Sequence, residues 1–487
     1  MLSDLRLAGK IVWMAETSEE NNVQRVLILT ADAGSGHRSA AQAIEAALAE
    51  RRAGRCRISV VNPLREAGSP GFLSTIFEDR YDDWVQRDPA LYELSYRVSD
   101  SLATAAIIEQ VSSMLLHDAL RSLLERHQPD VVVCTSPLYL EPLQYVFDRS
   151  GQMLPTVSVI TDLAGVHTLW FSPRVDLCLV PTEQARRKAL RSGVAADRVH
   201  VTGLPVHPRF GAETRSPDQI RAELGWQAEL ATALIVGGTR VNKVLDISRL
   251  LDRSELPLQL VVVAGGDESL YAQLAGEKWR GPVHVYGFAH NMPALIRASD
   301  LVITKAGGLI VSETLACGRP LIFCSAIPGQ ETGNVEYVTS AGAGEWAPAP
   351  DKVLARLSRW LAHGGALLAE RTANARLLGC PHAAFAVADL IWQLCEAGPR
   401  PASHELGLRR AALFPLKASI RVSRAIDRLE QDLRDVTDPE LARLAAWCVN
   451  QIETLQELER IEHRIRQRRN KLASRKVTSL RNRRSNL

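Results

Sequence analysis

Residues Thr304–Val338 read TKAGGLIVSETLACGRPLIFCSAIPGQETGNVEYV, and their order of apolar, glycine-rich and polar segments decides the fold class. The apolar run Leu301–Ile303 stops at Lys305, and Gly307-Gly308 opens a helix carrying Ser312 and Glu313. Gly318-Arg319-Pro320 ends that helix, and Leu321–Phe323 returns to a sheet. A strand, a glycine turn, a helix and a second strand make a βαβ unit, the building block of parallel sheets. Unpaired N–H groups at such a helix start favour an anion, so the turn suits a diphosphate. Glu313, one to two turns further in, is placed to take ribose hydroxyls. The loop Pro328-Gly329-Gln330-Glu331-Thr332-Gly333-Asn334 gathers more side-chain hydrogen-bonders than packing alone requires.

The same alternation extends from Val26 to about Cys395. Strands are expected at Val26–Thr30, Ile58–Val61, Asp130–Cys134, Thr156–Ile160, Leu177–Val180 and His200–Thr202, then at Ala233–Val236, Leu258–Ala264, Val283–Tyr286, Leu301–Thr304 and Leu321–Phe323. The Pro-rich stretch from Gly203-Leu204-Pro205 to Ser216-Pro217 divides the two sets and reads as an interdomain hinge. The expected organisation is an N-terminal extension over 1–23, an acceptor-side domain over 24–204, a nucleotide-sugar domain over 205–397, and a helical extension over 398–487. Residues 64–128 form a long insertion before Asp130. Its Phe72, Phe77, Tyr81, Trp84, Tyr92 and Tyr96 argue for an ordered, functional segment. Amphipathic helices are expected at Ser419–Val436 and Pro439–Arg468, the second capped by Asp438.

At 487 residues, 46% hydrophobic and with a net charge of +3, the chain has the composition of a globular protein of two or three domains. No run approaches the roughly 18 apolar residues of a membrane span, and the N-terminus lacks the apolar core of a signal peptide. Eight cysteines without C-x-x-C spacing point to free thiols in a reducing cytoplasm.

The pattern TKAG…E…G.P…IPGQE.GN resembles the nucleotide-sugar site of the GT-B glycosyltransferases that make glycosyl diacylglycerols. These are the monogalactosyldiacylglycerol synthases and processive diacylglycerol glucosyltransferases, related to the lipid-II-forming N-acetylglucosaminyltransferase. The resemblance covers roughly residues 24–395. It implies an α/β fold of GT-B type: two doubly wound parallel-sheet domains facing across a cleft, here with a C-terminal helical extension. Gly34-Ser35-Gly36-His37 matches the family's G-G-G-H segment with one glycine replaced by serine, which makes His37 the implied general base; read alone, an isolated histidine at a helix start is more readily structural. Thr161-Asp162-Leu163 with His167 and Trp170 resembles its T-D-x…H-x-x-W segment on the acceptor side, with Asp162 as orienting group or second base. Gly203-Leu204-Pro205-Val206-His207-Pro208 matches the domain junction. Gly237, Gly238 and Thr239 correspond to the pyrophosphate turn, although Thr239-Arg240-Val241-Asn242-Lys243 replaces a longer glycine run. Gly287-Phe288 and Asn291-Met292 match the uracil-holding loop. Gly307, Gly308 and Glu313 are implied for diphosphate and ribose, Gln330 and Glu331 for the sugar, and Asn334 as support.

The implied reaction is inverting transfer of a hexose from UDP-glucose or UDP-galactose to diacylglycerol, with no cofactor and no essential metal. The nine cations from Arg466 to Arg484, with no acidic residue after Arg466, suit an anionic membrane surface, each contributing about 1 kcal/mol near an anionic leaflet. The expected location is therefore cytoplasmic and peripheral, on the inner face of a membrane. Nucleic acid is not an expected partner, and self-association through the C-terminal helices fits as well as membrane docking. The competing readings are a GT-B enzyme with another acceptor and a catalytically silent GT-B scaffold.

Overall fold

The computed structural model describes residues 23–32, 34, 36–74, 78, 93, 96, 99–100, 102–238, 241 and 243–398. The expected helices after residue 398, the basic tail, Thr239 and most aromatics of the insertion lie outside the described residues. Tyr96 lies within them.

Twelve strands form two six-stranded sheets in which every described pairing is parallel. The first comprises β1 (Gln24–Leu29), β2 (Cys56–Val61), β3 (Val131–Cys134), β4 (Thr156–Val159), β5 (Leu177–Val180) and β6 (Val199–Val201), ordered 2-1-3-4-5-6. The second comprises β7 (Ala231–Val236), β8 (Leu258–Val263), β9 (Val283–Tyr286), β10 (Leu301–Lys305), β11 (Leu321–Ser325) and β12 (Gly344–Trp346), ordered 12-11-10-7-8-9. Eleven expected strands are present within two residues of their expected ends. The three-residue β12 carries too short an apolar signal to be read. Central strands such as Val131–Cys134 and Leu258–Val263 are buried throughout. Parallel sheets covered by helices on both faces require this, and it is why unbroken apolar runs mark them in the sequence.

Strand order reverses between β1 and β3 in the first sheet and between β7 and β10 in the second. At such switch points adjacent loops leave in opposite directions and open a crevice at the carboxyl ends of the strands. His37 follows β1. Gly237-Gly238 and Gly307-Gly308 follow β7 and β10. These three of the segments read as functional thus stand at the two switch points, while those after β4, β9 and β11 lie beside them.

The chain crosses between the sheets twice. Residues 202–216 lead from β6 into the second sheet's domain, and helix Ala383–Ala397 returns to the first. There Ala384, Val387, Ala388, Ile391 and Leu394 share a core cluster with Val26, Ile28, Ile44, Val131 and Val157. The segment expected to close the second domain thus ends on the face of the first. The sequence shows that helix to be apolar but not which sheet it covers. The stretch Pro350–Ala397 is long and apolar enough to pass a membrane-span test by composition. It is broken by non-helical backbone at Ala362, His363, Gly364 and Gly365, and its last helix is largely buried against the sheet.

Trp360 anchors the second core: it is fully buried, and its indole N–H donates to Glu345 Oε1 at 3.0 Å. Trp360→Ala is expected to cost about 3–5 kcal/mol, the range for truncating a buried large aromatic. Chemical denaturation followed by circular dichroism measures it, and a loss under about 1 kcal/mol would show that Trp360 does not anchor the core.

Candidate active site

His37 stands in the first turn of helix Gly36–Arg51, after a loop in which Gly34 takes φ 71°. Its Nδ1 lies 2.7 Å from Thr161 Oγ1, and the Thr135 backbone stands near the ring. Desolvation holds the His37 pKa below the ordinary histidine range. The Asp162 charge, the Thr135 contact and the Glu78 charge oppose that shift without reversing it. The ring is therefore neutral near pH 7 and able to accept a proton.

Asp162 receives the Trp170 indole N–H at 2.7 Å on Oδ2. Trp170 is 1% exposed, and its ring centroid lies 5.9 Å from that of His37. Trp170 is therefore part of the first domain's core, fixing a carboxylate beside the imidazole. His167 accepts the Leu169 N–H at 3.2 Å and caps the short turn Thr168–Trp170. It is buried, with Tyr96 edge-on at 5.2 Å. Gly36 leaves open space where a side chain would stand.

In the second domain Gly307 caps helix Gly308–Ala316. A Cβ on Gly307 would lie 2.7 Å from Lys305 Nζ, so the Lys305 ammonium stands over the helix start. Lys305 pairs with Glu331 Oε1, while Glu331 Oε2 accepts the Ile327 N–H at 2.9 Å. Glu331 is 5% exposed and has both oxygens engaged, so it braces the loop from inside. The polar composition of that loop did not distinguish this from a ligand contact. Glu313 has no side-chain hydrogen bond among the described residues, and desolvation pushes its pKa up to about 8. A carboxyl in that condition is stabilised by any ligand that brings hydroxyl donors.

Gly237 is packed too tightly for a side chain: a Cβ would meet Leu270 at 3.0 Å and the Val263 carbonyl at 3.1 Å. Gly238 adopts φ 141°. Lys243 donates to the Pro348 carbonyl at 3.1 Å. Phe288 is 70% exposed beside His290, and Met292 opens helix Met292–Ala298 and packs on its core.

The two domains meet where loop 161–167 faces loop 327–334. Asn334 is buried, accepts the Ala164 N–H at 3.0 Å and donates to the Ala306 carbonyl at 2.8 Å. A Cβ on Gly165 would lie 2.8 Å from the Gln330 carbonyl oxygen, and one on Gly333 would lie 2.9 Å from the Gly165 nitrogen. A Cβ on Gly308 would lie 3.5 Å from Leu163 and from the Thr161 carbonyl oxygen, an ordinary contact. The neutral base, its neighbouring carboxylate and the anion-favouring helix start are thereby brought to one crevice. Sequence reasoning passed over Lys305, although it ends the strand in the stretch that decided the fold. It gave no role to Thr161 or Glu78, and it took Tyr96 only as one of the aromatics marking the insertion as functional.

Residues 37–206 match the family described as Monogalactosyldiacylglycerol (MGDG) synthase, and residues 232–375 match the Glycosyltransferase family 28 C-terminal domain. Monogalactosyldiacylglycerol synthase 2, chloroplastic, of Arabidopsis thaliana is 30% identical over 383 residues, covering 77% of this chain and 81% of that protein. The chloroplastic synthase of Spinacia oleracea is 29% identical over 397 residues, covering 80% and 74%. Among solved structures, S. aureus MnaA with UDP superposes with a TM-score of 0.50 at 14% identity, over 76% of this chain and 96% of that one. The glycotransferase of kitacinnamycin gives 0.50 at 16% identity, over 77% and 99%. These structures share the fold, two parallel-sheet domains of GT-B type.

The loop contact itself is open to test. Gly165→Ala places a methyl against a backbone carbonyl that cannot rotate away and is expected to cost about 1–3 kcal/mol, as overpacking does. Differential scanning calorimetry reads the loss. A variant that melts with the wild type would mean the two loops do not touch in solution.

Proposed function

The chain belongs to the monogalactosyldiacylglycerol synthase family and is a glycosyltransferase, and from that premise we propose that it transfers a hexose from a UDP-sugar to diacylglycerol with inversion. The observation that carries this reading is the neutral His37 held by Thr161 beside Asp162, in the crevice that also receives the start of helix Gly308–Ala316. His37 takes the proton of the acceptor hydroxyl as its oxygen attacks the anomeric carbon. The bond from that carbon to the diphosphate breaks, and UDP leaves with the electron pair. An α-linked donor gives a β-glycoside. Asp162, locked by Trp170, stabilises the imidazolium that forms.

The leaving diphosphate meets the N–H groups at Gly307-Gly308 and the Lys305 ammonium, fixed donors aimed where charge develops. Glu313 takes the ribose hydroxyls, Phe288 and Met292 line the uracil, and Gly237-Gly238 with Thr239 admits the diphosphate. Gln330 contacts the sugar, while Glu331 and Asn334 hold that loop. This chemistry needs no metal. Acceptor lipid reaches the first domain at Gly34 and Gly36, while His167 and Trp170, expected on the acceptor side, are buried and instead hold the loop that carries Asp162. The enzyme is bound peripherally to an anionic membrane surface. The proposed division keeps 24–204 as acceptor side and 398–487 as extension, but of the 205–397 segment the helix Ala383–Ala397 packs with the first sheet's core and not with the nucleotide-sugar side.

The test is UDP release with UDP-galactose and UDP-glucose, each with diacylglycerol in anionic vesicles. Lipid-dependent release from one donor names the sugar, and His37→Ala is expected to lower it by about 10²–10⁴-fold, the range for a general base. Release without lipid dependence, or none from either donor, would sink the reading. The base works unprotonated, so kcat/KM rises as pH passes upward through the His37 pKa. Because that pKa is depressed, the acid limb is expected below the ordinary histidine range near 6.5. A limb at or above that value would contradict a desolvated base.

Donor binding is separable from chemistry. Glu313→Ala is expected to weaken UDP binding by about 10–100-fold, the worth of hydrogen bonds to a charged group. Calorimetric titration measures it, and unchanged affinity would remove Glu313 from the ribose.

A further inference from the structure

The segment between β2 and β3 supplies a carboxylate that the reaction as proposed does not use. Glu78 is 6% exposed, and its side chain only 1%. Its Oε1 accepts the Asp32 backbone N–H at 2.6 Å and the Asn62 amide at 2.7 Å, and its Oε2 pairs with Arg65 Nε at 3.0 Å. Asn62 is itself fixed. Its other amide hydrogen bond goes to Asp32 Oδ2 at 2.9 Å, and its Oδ1 receives the Leu64 N–H at 3.0 Å and the Tyr139 hydroxyl at 3.3 Å. Asp32 pairs with Arg38, the residue after His37.

These contacts fall on the loop that ends β1 and delivers His37. A buried charge is tolerated only when it is paired and hydrogen-bonded, and here both hydrogen bonds fall on Oε1, from that loop and its neighbour, while Oε2 has the Arg65 ion pair and no hydrogen bond. The same β2–β3 segment reaches the other side of the site. The Tyr96 hydroxyl donates to the Gly165 carbonyl at 2.9 Å, beside the Thr161 that holds the His37 ring. The base is framed from both sides by one segment of chain.

We propose that Glu78 is a positioning residue for His37, fixing the loop that carries the imidazole and adding a negative charge that keeps the ring basic. The inference deepens the reading of His37 as the general base and rests on it. Charge acts strongly here because the carboxylate is shielded from water. The groups facing His37 are Asp162, Thr161 and Trp170 from the loop after β4, Thr135 from the end of β3, and Glu78 from the β2–β3 segment. Asp32, Arg38 and Arg65 surround Glu78 itself. Desolvation and the Asp162 charge outrank Glu78 in setting the ring's basicity, and Glu78 pushes in the same direction as Asp162.

The test compares full-length wild type, Glu78→Gln and Arg65→Met. Glu78→Gln keeps the shape and removes the negative charge. Arg65→Met removes a half-exposed cation and keeps Glu78. The His37 titration is read by NMR on histidine-labelled protein, with the resonance assigned by its loss in His37→Gln. Its midpoint is expected to fall in Glu78→Gln and to rise in Arg65→Met. Turnover of Glu78→Gln with donor and diacylglycerol is expected to fall on the order of tenfold, the scale of a misplaced catalytic group. UDP affinity should be unchanged, and the acid limb of kcat/KM should shift with the NMR midpoint. Identical midpoints in all three proteins would overturn the proposal. So would a loss of UDP affinity and melting temperature in step with turnover, which marks an ordinary structural lesion. If Glu78→Gln does not fold, the direction of the Arg65→Met shift decides. If the wild type transfers no sugar, the function proposed above fails while the titrations still decide the role of Glu78.

Discussion

Two loops in this protein come as close as backbone permits. Loop 161–167 of the first domain and loop 327–334 of the second meet at Gly165 and Gly333, where neither residue has room for a Cβ. Asn334 closes the contact with one hydrogen bond to each side. A buried amide stripped of either partner costs about 1–3 kcal/mol, so the arrangement favours both bonds together over either alone. Much else depends on it. Thr161, which holds His37, and Asp162, which faces it, sit on the first loop. The helix start at Gly308 abuts Leu163 and the Thr161 carbonyl, and the Lys305–Glu331 pair braces the second loop. Were the loops parted, His37 and the helix start would each survive, but without a common crevice.

The electrostatics of the crevice follow from its burial. The imidazole is kept neutral by desolvation, and the same effect lifts Glu313 to about 8. Neither condition stabilises the folded chain by itself. A group held away from its preferred charge state lowers stability, and proteins tolerate this where a ligand or a reaction supplies the compensation. By contrast, Glu331 has one oxygen paired with Lys305 and the other on the Ile327 N–H, and needs no ligand. The distinction separates working groups from bracing ones more sharply than residue type does.

It also explains what could be read from the sequence. The strands were legible because parallel strands buried on both faces must be apolar throughout, as Val131–Cys134 is. The glycine turn after β7 was legible because backbone crowds Gly237 and Gly238 takes a positive φ. The division of labour inside the polar loop was not. Glutamine, glutamate and asparagine in one stretch say that hydrogen bonds are needed and leave open whether a ligand or the fold receives them. The β2–β3 segment was the least legible. Glu78 and Tyr96 act through partners 46 and 69 residues away in sequence, on loops after two different strands, and no periodicity encodes such contacts.

The return of helix Ala383–Ala397 gives the second domain a second tether. The sheets are joined covalently through residues 202–216 and again through 379–382, and the two crossings touch. A Cβ on Gly203 would lie 2.5 Å from Cys380 Cβ, and one on Gly211 would lie 3.0 Å from the Pro381 carbonyl. Any relative movement of the sheets must therefore pass through a packed double crossing, which restricts it far more than a single linker would. A ligand spanning the crevice can shift such an equilibrium only by the difference in its contacts between the two arrangements. At Gly165 and Gly333 the loops after β4 and β11 share a hydrogen-bonded residue, Asn334, so a movement that parts them must break at least one buried bond.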